Sequence, residues 1–211
     1  MNICALIPAY NEEKTVGHVI SVLHEIEEVN DIIVINDGSD DSTADKARQA
    51  GARVIDMPEN RGKGAALKRG LESCNADIIL MLDADLIGLQ ARHVHSLIDP
   101  VILDQYDMTV GIFDEGRSMT DMAQKINPHL SGQRAIKADI LTRIKDIDKA
   151  GYGVEVTINR YFKENGRMKR VELPSLTHKT KEEKRGLFKG LAARFKMYGE
   201  VLKTIFLFIF D

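Results

Sequence analysis

The chain has 211 residues, 29 Lys and Arg against 32 Asp and Glu, a formal net charge of -3 and 44% hydrophobic residues. That length supports one sizeable core rather than two small domains, and the near-balanced charge gives no reason to expect a nucleic-acid partner. No apolar run reaches the roughly 18 residues of a membrane span, and Cys4 and Cys74 make neither a disulfide framework nor a metal spacing, as in a reducing cytoplasm.

The chain starts directly on a strand pattern, with no basic segment followed by an apolar leader, so a secretory signal is not expected. Ile3 to Pro8 reads as a buried strand. Glu12 to Glu28 carries helical spacing through Val16, Val19, Ile20, Leu23 and Ile26. Asp31 to Asn36 is a second strand and Thr43 to Ala50 a short helix stopped by Gly51. Arg53 to Asp56 is a brief strand, Gly64 to Cys74 a third helix, and Asp77 to Leu82 a fourth strand. Alternation of this kind implies βαβ units around a mainly parallel sheet flanked by helices, an α/β fold. In such open sheets ligands collect at the carboxyl ends of the strands. Polar residues stand at those ends here: Tyr10 to Glu12, Asn36 to Ser39, and Asp83 to Asp85.

The second half is less regular. Tyr106 to Phe113 reads as a strand, and Asp114 to Pro128 as a polar loop or short helices. Ile136 is expected to start a helix running to Ile144, Gly153 to Glu164 forms a further helix, and Met168 to Leu173 a late strand. Charge is uneven: residues 163–203 carry more than twice as many Lys and Arg as Asp and Glu. Within residues 181–211, Leu187, Leu191, Phe195, Tyr198, Leu202, Ile205 and Ile209 follow helical spacing, with Lys189, Arg194, Lys196 and Lys203 off that stripe or at its borders. A basic amphipathic helix of this kind suits an anionic membrane surface; it equally suits a homodimer interface or the chain's own core.

The chemistry concentrates in three loops and one tripeptide. Asp83-Ala84-Asp85 puts two carboxylates at the end of a central strand, where they suit Mg²⁺ or Mn²⁺ shared with substrate phosphates. Pro8-Ala9-Tyr10-Asn11-Glu12 closes the first strand. Asn36-Asp37-Gly38-Ser39 closes the second with turn residues. Asn60-Arg61-Gly62-Lys63-Gly64 leads into a helix N-terminus and offers backbone, dipole and two cations to a phosphate. It is not the Gly-bounded run ending in Lys-Ser/Thr of a P-loop.

In this order, these four segments resemble the nucleotide-sugar transferases of glycosyltransferase family 2, with the GT-A fold. The resemblance is specific over residues 1–86 and implies one GT-A domain over 1–180, with a nucleotide-sugar-binding half at 1–86 and an acceptor half at 87–180, followed by the helix at 181–211. It implies that Pro8, Ala9, Tyr10, Glu12, Asp37, Lys63, Asp83 and Ala84 face the donor, and that Asp83 and Asp85 hold a metal. The chain departs from the family at Asn36, where Asp is frequent, and at Ile87, where the dolichyl- and polyprenyl-phosphate sugar transferases often have Gln near the metal. Later segments resemble the glucosyl-3-phosphoglycerate synthases. There Leu130-Ser131-Gly132-Gln133-Arg134 matches an acceptor loop, implying acceptor contacts at Gly132 and Arg134. Gly151-Tyr152-Gly153-Val154-Glu155 matches a stretch beside the donor sugar, implying an acceptor role for Tyr152 and a catalytic one, beside Asp85, for Glu155. The same resemblance implies that His178 is the third metal ligand. Of the other five histidines, His93 and His95 do not share a helix face, and His18, His24 and His129 lack partners.

The resemblance thus implies a metal-dependent glycosyltransferase that moves a sugar from a UDP-sugar, with UDP-glucose favoured, to a lipid-linked or phosphorylated acceptor. It would act in the cytoplasm or on the inner face of its membrane. No Glu-Asp pair stands where an inverting enzyme keeps its general base. Two alternatives stay open: a soluble retaining synthase acting on a phosphoglycerate-like acid, and a non-catalytic nucleotide-sugar-binding subunit. A nucleotidyltransferase would need a Gly-rich loop directly after the first strand, which Pro8-Ala9-Tyr10-Asn11 does not provide.

Overall fold

A computed structural model describes residues 1–113, 131–144 and 147–178. In chain order the elements are β1 (Ile3–Ala9), α1 (Val16–Leu23), β2 (Val29–Asn36), α2 (Thr43–Gln49), β3 (Arg53–Asp56), α3 (Lys63–Leu71), β4 (Ile78–Met81), β5 (Leu86–Ile87), α4 (Ala91–Ile102), β6 (Met108–Phe113), β7 (Arg134–Lys137), α5 (Ala138–Leu141), a 3₁₀ segment (Ile147–Gly153), α6 (Val154–Asn165), β8 (Met168–Leu173) and β9 (Thr177–His178).

A seven-stranded sheet runs in the order β3-β2-β1-β4-β7-β6-β8, and β5 and β9 form a separate two-stranded ladder. β1, β2, β3 and β4 are mutually parallel, and β6 is parallel to β8. β7 alone runs the other way, antiparallel to β4 and to β6. Side chains alternate across β1, so its two faces feed two cores. Ile3, Ala5 and Ile7 pack with Val16, Val19, Ile20 and Leu23 of α1 and with Val94, Leu97 and Ile98 of α4. Cys4 and Leu6 pack with Ala66 and Leu67 of α3 and with Val154, Ile158 and Phe162 of α6. Covered on both faces, the central strands read as unbroken apolar runs.

The helix expected from Ile136 to Ile144 is corrected. Its first residues belong to β7, where Ile136 pairs with Ile79 and Met108 and is fully buried; only Ala138–Leu141 is helical. Four residues squeezed between two strands form too short a pattern to separate strand from helix by periodicity. The long first helix is also shorter than its pattern: Glu12 to Thr15 make a turn, with the Val16 amide donating to the Glu12 carbonyl at 3.0 Å. The expected loop at 114–128 and the helix at 181–211 lie outside the described residues. Among the described residues no helix is long and apolar enough to cross a membrane.

Two consequences of this topology position the site. Strand order changes direction beside β1 and opens a crevice at the carboxyl ends of β1 and β4. Because β7 is reversed, its beginning lies at that same end: Arg134 pairs with Met81, which places residues 131–133 against Asp83.

Candidate metal centre

Asp83 leaves β4 with its side chain gripped on both oxygens. Lys63 Nζ donates to Oδ1 at 2.6 Å, and Gln133 Nε2 donates to Oδ2 at 2.7 Å. The Asp83 amide in turn donates to Gln133 Oε1 at 2.9 Å. Gln133 is fully buried. Lys63 opens α3, and its ammonium also reaches Glu155 Oε1 at 2.6 Å in the first turn of α6. One cation therefore bridges two carboxylates from distant parts of the chain. Burial disfavours the lysine charge, but Asp83 and Glu155 outweigh it and hold Lys63 above the usual lysine range. Asp83 is likewise penalised by burial, yet the positive charges of Lys63 and His178 hold it below the usual carboxylate range.

Ala84 is buried in the core, while the aspartates that flank it in this turn keep partly exposed side chains. Asp85 Oδ1 lies 3.2 Å from His178 Nδ1. The short β5–β9 ladder makes this contact, because Leu86 pairs with His178 directly after Asp85. The edge of Phe113 packs on the His178 ring at 4.6 Å between centroids. Burial pulls the imidazole toward its neutral form. The hydrogen bond to Asp85 and the charges of Asp85 and Asp83 reverse that and raise its pKa above the ordinary value.

Asp83, Asp85 and His178 each offer one ligand atom within 4.8 Å of the others. Two carboxylate oxygens and an imidazole nitrogen suit Mn²⁺ or Mg²⁺, with room left in the shell for phosphate oxygens. Gly132 lines the same spot: a Cβ there would meet Asp83 Oδ2 at 2.7 Å and Oδ1 at 2.8 Å and would collide with Lys63 Nζ. The residues present fit a divalent cation.

Residues expected to face a donor form a second cluster at the ends of β1 and β2. Asp37 accepts the amides of Arg61 and Gly62, each at 2.8 Å, and so fixes the loop ahead of Lys63. Burial raises its pKa while those two amides oppose the shift. The Asn11 amide donates to Ser39 Oγ at 3.0 Å and Asp40's amide donates to Asn11 Oδ1 at 2.9 Å, which laces the two loops together. Asn36 is explained by its neighbour: its Nδ2 donates to Asp56 Oδ1 at 2.8 Å, where an aspartate would meet a like charge. Pro8 and Ala9 pair with Ile35 and Asn36, and Tyr10 follows them, half-buried. The Glu12 amide donates to Thr43 Oγ1 at 2.7 Å.

Arg134, expected to contact an acceptor, is buried at the start of β7. Its guanidinium is sealed from solvent and donates to the Ser131 carbonyl at 2.8 Å and to Asn159 Oδ1 at 2.6 Å. Burial lowers its pKa to about 10, which leaves it charged at neutral pH. In this arrangement it ties the 131–133 loop to α6. Tyr152 falls in the 3₁₀ segment, and its side chain lies outside the described set. Asp114, Glu115 and His129 also lie outside the described residues. His24 has a partner after all, its Nε2 standing 3.0 Å from the Ala50 carbonyl. Sequence pattern does not single out Gln133, although it stands within Leu130 to Arg134. A buried amide matching a carboxylate and its own backbone N–H is invisible until β7 is paired with β4.

Residues 4–149 match the family model described as Glycosyl transferase family 2. The chain is similar to the glucosyl-3-phosphoglycerate synthase of Mycobacterium tuberculosis (strain ATCC 25618 / H37Rv), 29% identical over 191 residues, which cover 73% of this chain and 58% of that protein. It is also 38% identical over 114 residues to protein RfbJ of Shigella flexneri, covering 54% of this chain and 87% of RfbJ. Against the first of these relatives the chain spans less than two thirds of the partner's length. A crystal structure of the M. tuberculosis synthase with Mn²⁺, uridine diphosphate and glucosyl-3-phosphoglycerate superposes with a TM-score of 0.77 at 28% identity, covering 97% of this chain and 78% of that one.

Proposed function

The chain belongs to glycosyl transferase family 2, and from that membership we propose that it transfers a hexose from a UDP-sugar, with UDP-glucose favoured, to a small phosphorylated acid, using Mn²⁺ or Mg²⁺. The observation that carries this reading is the convergence of Asp83, Asp85 and His178 within 4.8 Å, beside a lysine paired to two carboxylates. The choice of donor, metal and acceptor rests on the similar M. tuberculosis synthase, whose structures hold Mn²⁺, UDP-glucose and phosphoglyceric acid.

In this reading Asp83, Asp85 and His178 hold the cation, which supplies electrostatic stabilisation of the departing diphosphate. Lys63 stands at the N-terminus of α3, where its charge and the first-turn amides favour a phosphate. Asp37 keeps the preceding loop in place, and its remaining lone pairs serve the base of the nucleotide. Glu155, paired to Lys63, is engaged as a carboxylate and is read as a group that orients sugar hydroxyls rather than as a free general base. An acceptor whose nucleophile needs no protein base, or a retaining course, accords with that. The division into a donor half at 1–86 and an acceptor half at 87–180 belongs to the same proposal, as do acceptor roles for Gly132 and Tyr152. A lipid-linked acceptor, a membrane surface and a homodimer all rest on residues 181–211, outside the described set.

The test is a panel of UDP- and GDP-hexoses offered with 3-phosphoglycerate, glycerol 3-phosphate or a polyprenyl phosphate, with Mn²⁺ or with a chelator. Nucleotide release is followed, and products are identified by mass. Metal-dependent release from UDP-glucose with a phosphorylated acid, abolished in Asp85→Ala, is expected. Metal-dependent UDP binding without turnover on any acceptor would instead identify a non-catalytic binding subunit.

A further inference from the structure

The metal ligand His178 stands on a two-residue strand at the end of a turn, Leu173 to Thr177, that is short of regular structure. Such a ligand needs something to fix its backbone. The turn is held at three places. At its far end Leu86 pairs with His178 and Ile87 with Thr177. In its middle, Ser175 has a φ of 65° and its carbonyl faces Gly88, φ 79°, where a Cβ would approach that oxygen to 2.9 Å. At its start, the carbonyl of Pro174 lies 3.0 Å from Nε2 of His93 on α4.

His93 is 1% exposed, so its ring is enclosed by the protein while it reaches the Pro174 carbonyl directly. The other ring nitrogen, Nδ1, accepts the amide of Gln90 at 3.2 Å at the start of α4. A ring that accepts at Nδ1 carries its proton on Nε2, and the shorter contact of that nitrogen is to the Pro174 carbonyl at 3.0 Å, against 3.5 Å to Nε of Arg92. Burial, together with the positive charge of Arg92, keeps the ring neutral against the pull of the Pro174 carbonyl. An apolar side chain of similar size would fill the space but would remove both of these links, from the Gln90 amide and to the Pro174 carbonyl. An imidazole in this one tautomer joins both, and thereby ties α4 to the turn that carries the metal ligand.

We propose that His93 is a positioning residue for the metal centre, acting through the Pro174 turn to hold His178 in register with Asp85. This rests on the reading of Asp83, Asp85 and His178 as metal ligands. Outer groups that orient a ligand typically alter metal affinity by about 10–100-fold, and His93 acts one peptide segment further out, so the lower end of that range is expected.

The experiment is a Mn²⁺ titration of the full chain, by electron paramagnetic resonance or calorimetry, on wild type, His93→Leu, His93→Gln, His178→Ala and the His93→Leu/His178→Ala double variant. His93→Leu should bind Mn²⁺ roughly tenfold more weakly, while metal-free UDP binding stays unchanged. His93→Gln keeps one donor and one acceptor and should recover most of the affinity. The double variant should bind no more weakly than His178→Ala alone, because the effect runs through that ligand. Unchanged affinity in His93→Leu, or an equal loss in the His178→Ala background, would overturn the proposal. A wild type that binds no Mn²⁺ would overturn the metal reading itself, and this inference with it. If His93→Leu does not fold, Gly88→Ala loads the same turn from the opposite side, and intact Mn²⁺ affinity there refutes the role. In wild type, imidazole nitrogen NMR should report His93 as the neutral Nε2–H tautomer; the Nδ1–H form would contradict it.

Discussion

Gln133 holds Asp83 by both ends of one amide: its Nε2 donates to the carboxylate at 2.7 Å while its Oε1 accepts the backbone amide at 2.9 Å. The carboxylate is thus oriented by a residue 50 positions away in sequence, directly ahead of the strand that runs against the rest of the sheet. Side chain and main chain of Asp83 are fixed together, so its free lone pairs keep a constant direction toward Asp85 and His178.

Gln133→Leu should therefore weaken Mn²⁺ binding and sugar transfer by roughly 10–100-fold. The fold should survive, since the position is buried and the replacement close in size. A metal titration alongside kcat/KM reads both effects. Full activity in the variant would show that Lys63 alone suffices to orient Asp83.

Lys63 is the only cation within hydrogen-bond reach of Asp83 and Glu155 among the described residues. Lys63→Met leaves the part-buried Asp83 and the buried Glu155 without the cation they share. Removing one partner of a buried ion pair costs about 3–5 kcal/mol, and the lower end is expected because the side chain is 16% exposed. Urea unfolding should show that loss, and saturating Mn²⁺ should recover part of it by pairing Asp83. A loss of equal size with and without metal would separate Lys63 from the metal centre.

Gly132→Ala places a methyl group against Lys63 and both oxygens of Asp83. The neighbours there are flexible side-chain ends, so the chain should still fold. The lysine–aspartate contact should be displaced, with transfer falling about 100-fold or more, the size seen when one electrostatic stabiliser is lost. Thermal unfolding with steady-state rates distinguishes this from simple unfolding.

Metal affinity should rise with pH. Asp85 and Asp83 raise the His178 pKa above its ordinary value of about 6.5. A cation must displace the proton from that ring, so Mn²⁺ binds weakly below the raised pKa and levels off above it. In the metal-free protein the sign is reversed: the His178–Asp85 pair adds stability that is complete below the ordinary pKa and is lost as pH climbs through the raised one. The stabilisation conferred by Mn²⁺ should grow between about pH 5 and 8. His178→Ala should flatten that slope, which thermal shifts across the range would record.

Much of the fold is legible from the chain because its first half obeys simple rules. Ile3 to Ala9, Ile32 to Ile35 and Ile78 to Leu82 are apolar throughout because helices cover both faces of those strands. Turn residues then mark where each strand ends. The site residues fall at those ends for the same reason, so Asp37, Lys63, Asp83 and Asp85 can be picked from local sequence. Beyond residue 86 the rules weaken. Ile136 reads as helical because the reversed strand is four residues long, and nothing local signals that Arg134 is buried with Ser131 and Asn159 as partners.

The sequence by itself determined the parallel half of the sheet and the acidic pair at its edge, since strand burial and turn chemistry are properties of neighbouring residues. Tertiary structure alone decided which partners that pair receives. Gln133 comes from the residue just ahead of the reversed β7, Glu155 from the start of α6 by way of Lys63, and His178 from a ladder of two residues on each side whose turn contacts His93. Each of these contacts joins segments tens of residues apart. No periodicity encodes such a meeting; it exists only once the two cores have closed around the sheet.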